Sequence, residues 1–234
     1  DLGRWAVLNP DEVARILRRV NEPATETLED IVARRADHLA VYQDSALARR
    51  YRALVDRAPD DRLREPIAKA YHKLLAYKDE YEVARLHLAT ADKARAEFDG
   101  DFRMTFHLAP PFLPAQDDNG RPAKRAFGQW IVPLFRVLAR GKRLRGKAFD
   151  PFGYSTERRM ERALIAQYER DMAAVLAQVT PDRMEAAVAL AELPLQITGF
   201  GPVKLANAQA AAKRREELLA AFRGGGAGLR QAAE

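Results

Sequence analysis

Apolar residues recur every three or four positions through most of this chain, and that period restricts it to a helical architecture. From Thr25 to Arg57, Leu28, Ile31, Val32, Leu39, Tyr42, Ala46 and Leu54 mostly keep the 3.6-residue spacing of one helix face. The turn Ala58-Pro59-Asp60-Asp61 ends that helix, and a second long helix runs from Asp61 or Pro66 to Leu88. The short connection predicts antiparallel packing of the two. Met160, Leu164, Tyr168, Met172, Val175 and Val179 line one face of a later helix, which Ser155 or Thr156 caps.

Punctuation marks out the remaining elements. Asn9-Pro10 reads as an N-cap with proline at the first helical position, opening a short helix to about Val20. Phe102, Met104 and Phe106 alternate with polar residues as a strand does, and Asp117-Asp118-Asn119-Gly120 is a hairpin signal. A helix spans about Gln129 to Arg140, Thr180-Pro181 restarts one that ends near Pro194, and the last runs from Gly201-Pro202 to about Phe222. The expected fold is mainly α, a helical domain with long antiparallel helices and a small β-hairpin insertion. It is read as one domain over residues 1–223, with a peripheral segment at about 1–24, the β element at about 102–127 and a flexible tail at 224–234.

Composition excludes several chemistries. There is no cysteine, so disulfides, thiolate nucleophiles and thiolate-ligated iron–sulfur clusters are ruled out within these residues. No run approaches the roughly 18 apolar residues of a membrane span, so no membrane partner is expected. The first residues, Asp1-Leu2-Gly3-Arg4-Trp5, carry no signal-peptide pattern and favour a domain cut from a longer polypeptide. His38, His72, His87 and His107 show no zinc-ligand spacing. His107, at a strand end, is a weak candidate for a general base against the commoner role of capping a carbonyl.

The charge is +6, and part of it is clustered: Arg140, Lys142, Arg143, Arg145 and Lys147 fall within eight residues. That run reads as a docking surface for an acidic electron carrier, a contact for a phosphate-bearing cofactor of another domain, or a solvated loop. It holds no aromatic residue, which disfavours base stacking, so nucleic acid is an unlikely partner. A second constellation surrounds Tyr81, where helical spacing would set Lys78 and Glu82 at i,i+4 with Arg85 on the same side. It either grips an anion or a neighbouring domain, or fixes how this helix docks on Tyr42-Gln43-Asp44. Gly199-Phe200-Gly201-Pro202-Val203-Lys204 is a third candidate, a glycine-bordered turn opening a helix with Lys204 placed to meet a phosphate or carboxylate. Asp99-Gly100-Asp101 does not match a thiamine-diphosphate motif, because its order is wrong and Asn119 comes too early.

The segments LAYKDEYEVARL (75–86), FHLAPPFL (106–113), DPFGYSTERRMERALI (150–165) and ITGFGPVK (197–204) together resemble the C-terminal region of the fused indolepyruvate ferredoxin oxidoreductases. The resemblance covers about Ala33 to Asn207. It implies a parent enzyme that oxidatively decarboxylates an aryl 2-oxoacid, uses thiamine diphosphate and iron–sulfur clusters, and passes electrons to ferredoxin. This segment would then be a cytoplasmic, non-catalytic accessory domain with no cofactor of its own. Its partners would be other domains or subunits of the parent, with the Arg140 to Lys147 run a docking surface for ferredoxin. The alternative is a stand-alone basic helical module for nucleic acid or another acidic partner.

Overall fold

Thr27 and Asp30 cap each other reciprocally at the start of the first long helix, satisfying two backbone N–H groups that a helix end would otherwise leave unpaired. The computed structural model describes residue 5 and residues 7–13, 26–98, 100, 103–108, 124–199 and 201–225. Within them the helices are α1 (Leu28–Tyr42), α2 (Ser45–Val55), α3 (Asp61–Leu75), α4 (Glu80–Glu97), α5 (Val132–Arg140), α6 (Thr156–Gln178), α7 (Met184–Glu192) and α8 (Pro202–Arg223). Strands β1 (Phe106–Leu108) and β2 (Arg125–Phe127) form an antiparallel pair, with Phe106 opposite Phe127. The fold is therefore mainly α with a two-stranded hairpin, and no helix among the described residues is long and apolar enough to cross a membrane.

Both expected long helices are broken. The first stops at Tyr42, and Asp44 starts α2 by accepting from the Leu47 N–H at 2.9 Å. Apolar spacing continues across the break, so periodicity alone joins the halves. The chain instead folds back, and Arg52 reaches Glu29 at the opposite end of α1. The second stops at Leu75, and Asp79 caps α4 through the Glu82 N–H. Antiparallel packing thus joins α1 to α2 and α2 to α3, whereas α1 and α3 run the same way, with Arg35 bonded to Ala68 and Tyr42 to Tyr77. Asp44→Ala is expected to cost about 1 kcal/mol, the usual loss for an N-cap, read by urea unfolding.

Among the described residues of the expected β element, 103–105 are not strand and pairing starts at Phe106; Phe102 and the Asp117 to Gly120 turn lie outside the described residues. So do 14–25, which hold most of the N-terminal helix expected after Asn9, and 226–234 of the expected flexible tail.

Two apolar clusters hold the structure. The larger joins α1, α2, α3, α6, α7 and α8, and the rings of Tyr51, Tyr71 and Tyr168 stack through it at 6.0 and 5.8 Å between centroids. A buried phenol must find an acceptor, and Tyr51 donates to the Ala68 carbonyl and Tyr168 to that of Ala191, while Tyr71 donates to Glu169. The smaller cluster packs α4 against α5 and the hairpin through Ala84, Ala91, Phe106, Ile131, Val132 and Phe135.

Candidate functional site

The break between α3 and α4 is built around one carboxylate. Asp79 caps α4 and also receives both arms of Arg145, with Nε to Oδ2 at 2.5 Å and Nη2 to Oδ1 at 2.9 Å. The two residues are only 2% and 5% exposed, so neither charge has water to fall back on. Arg145 spends its third arm on the Tyr42 carbonyl at the end of α1, 2.7 Å away, and its Cζ lies 3.6 Å from the centroid of the Tyr42 ring. Burial opposes the Arg145 charge, but Asp79, with Tyr42 and Tyr77 beside it, offsets that and raises its pKa. The Tyr42 hydroxyl donates to the Tyr77 carbonyl at 2.8 Å, and burial next to Asp79 pushes its pKa far up, so it stays a neutral donor.

A second carboxylate anchors the other side. Asp150 accepts from the Tyr81 hydroxyl at 2.9 Å, and from the N–H groups of Gly146 and Phe152. The Tyr81 ring lies against Gly141, where a Cβ would come within 2.8 Å of it, so the residue after α5 has to be glycine for that approach. Together these bonds clamp the loop 141–150 onto the ends of α1, α3 and α4.

The structure disperses the candidate residues chosen from sequence. Lys78 precedes α4 and is exposed, so it is not the helical i,i+4 partner of Glu82. Glu82 is buried and takes both arms of Arg85, at 2.8 and 2.6 Å. Within the basic run, Arg145 faces the interior, Lys142 donates to the Val41 carbonyl at 2.6 Å, and Arg140, Arg143 and Lys147 stand in solvent. A surface role is thereby removed from Arg145, whose guanidinium is fully committed to Asp79 and Tyr42. Lys204 pairs with Glu161, which also takes Arg158. His72 meets His38 at 3.0 Å, and burial with that neighbour lowers its pKa to about 4, so it is uncharged at neutral pH. His107 is exposed on β1, opposite Ala126. Among the described residues no group of acidic, histidine or cysteine side chains is arranged to hold a metal ion.

One surface property was not read from the sequence. From Lys124 to Phe149 there is no Asp or Glu. Lys124, Arg125, Arg136, Arg140, Arg143 and Lys147 are exposed along it. On α5 and the turn before it, Trp130, Leu134 and Val137 follow i, i+4, i+7 spacing and form an apolar stripe, with Trp130 70% and Val137 64% exposed. Arg136 and Arg140 run beside that stripe, while Val132 and Phe135 on the opposite face fill the smaller core. The absence of acids over this length was visible in the sequence; that its apolar residues divide between core and solvent was not.

Residues 28–217 match the model of DUF6537, a family of unknown function. No curated protein and no solved structure matches the chain.

Proposed function

This chain belongs to the DUF6537 family, and we propose that it is a cytoplasmic, helical docking and assembly domain of a larger indolepyruvate-type 2-oxoacid:ferredoxin oxidoreductase. The observation that carries the docking role is the acid-free ridge 124–149, with six exposed cations around an apolar stripe. A surface of this kind favours an acidic protein partner, because complementary charge speeds encounter while a desolvated apolar centre holds the complex. Ferredoxin is the partner that the sequence resemblance implies. The thiamine and iron–sulfur chemistry belongs to other parts of the parent, since clusters held by cysteine thiolates do not fit a chain without cysteine. The Asp79–Arg145 clamp supports the ridge by holding the end of α5 and the following loop on the bundle.

The test is the triple variant Arg136→Glu/Arg140→Glu/Arg143→Glu in the full parent protein. Turnover with ferredoxin should lose about tenfold or more in kcat/KM at low salt, and the difference should shrink as salt rises. Turnover with a small viologen acceptor should be unchanged, because it needs no docking surface. Equal ferredoxin kinetics for variant and wild type at every ionic strength would remove the reading. Oligonucleotide binding that weakens steeply with salt would replace it with the nucleic-acid module.

A further inference from the structure

A cavity of about 320 Å³ lies where the C-terminal end of α3, the N-terminal half of α6 and the first turn of α8 meet. That volume is at the lower end of the range for small-molecule sites. Its lining includes three lysines, Lys73, Lys78 and Lys204, and one carboxylate, Glu161. That carboxylate pairs with Lys204 and also takes Arg158, so it is not available to Lys73. Lys73 has no anionic partner at all among its bonds: its ammonium donates to the Pro194 and Leu195 carbonyls at 2.9 and 2.8 Å. An ammonium carries three donors, so one remains. The rest of the wall is largely apolar, from Leu74, Tyr77, Leu164, Pro194 and Ile197.

The neighbouring backbone adds to the positive field. The turn into α8 uses Gly199 and Gly201 at φ of 90° and 55°, a conformation other residues adopt only with strain. Gly201 offers no capping side chain and the first turn of α8 has no acidic residue, so the 22-residue helix itself supplies nothing to offset its positive end. Burial and the nearby Lys204 both lower the pKa of Lys73, the sign of a cation lacking a counter-charge.

We propose that this cavity binds a small organic anion, with a carboxylate or phosphate head between Lys73 and Lys204 and an apolar body against Leu74, Leu164 and Ile197. The site is independent of the docking ridge, since none of its lining residues belongs to 124–149. A charged head buried between ammoniums gains charge-assisted bonds, and the apolar wall selects against small inorganic ions.

The probes are phenyl phosphate and benzoate, which place the two heads on one ring, with inorganic phosphate as the head alone. Each is titrated into the whole chain by calorimetry and ligand-observed NMR. Saturable binding is expected for at least one aryl anion, about tenfold or more tighter than inorganic phosphate, and the tighter head identifies the class. Lys73→Met and Lys204→Gln should each weaken it about tenfold, whereas Lys213→Gln on the exposed side of α8 should leave it unchanged. Lys73 is half-buried, so thermal melting checks that its variant folds. Thr198→Trp, a bulky side chain at an exposed rim residue, abolishes binding without touching a lysine. No saturation with either aryl probe up to about 10 mM would overturn the proposal. So would affinities that Lys204→Gln and Thr198→Trp leave unaltered.

Discussion

Arg145→Met is expected to destabilise the fold by about 3–5 kcal/mol, the range for removing one partner of a buried ion pair. The loss does not come from the attraction alone. It leaves Asp79 charged, 2% exposed and without its main partner, and it leaves the Tyr42 carbonyl without a donor. For a chain of this length that loss lowers Tm by roughly 10 °C. Adding Asp79→Asn should restore most of it, since asparagine still caps α4 and the uncompensated charge is gone. Arg95→Ala breaks an exposed pair with Asp92 and should change stability by less than about 1 kcal/mol. Thermal and urea unfolding of the four proteins checks the set, and an Arg145→Met loss as small as that of Arg95→Ala would refute the clamp.

Phe135→Ala should cost about 3–5 kcal/mol, the range for deleting a buried aromatic ring, but the damage should stay local. Phe135 meets Phe106 edge-on at 5.2 Å and stacks on His87 at 5.1 Å, so it is the centre of the smaller core. That core shares no buried residue with the larger one. Amide hydrogen exchange should therefore quicken across 84–97, 106–108 and 125–140, while α1 to α3 keep their protection. Because α5 presents the exposed apolar stripe from its other face, the proposed docking role requires ferredoxin turnover of the parent to fall with it. Uniform loss of protection over the whole chain would show instead that the two cores unfold as one.

Much of the helical layout was legible. The capping serine of α6, the proline at the start of α8 and the buried Tyr168, Met172 and Val175 follow from spacing and cap chemistry, which act within a few residues. The breaks at Gln43–Asp44 and Ala76–Asp79 were not. Asp44 and Asp79 are ordinary polar residues within an unbroken apolar period, and nothing local marks them as caps until the chain turns back. The candidate site was legible only as a set of charges. Lys142, Arg143 and Arg145 lie in one short run, yet one meets a backbone carbonyl, one stands in solvent and one is buried.

By itself the sequence determined the helical class, most helix starts, the exclusion of cysteine chemistry and the positive balance of the stretch around α5, because each depends on residue type or on neighbours within one or two turns. Only the tertiary structure decided which charges are spent. Asp79 finds Arg145 across 66 positions and Lys73 finds Pro194 across 121, and such pairings depend on how helices pack. Packing assigned Arg145 to the interior, left the 124–149 ridge in solvent, and brought three lysines to one cavity with a single shared carboxylate.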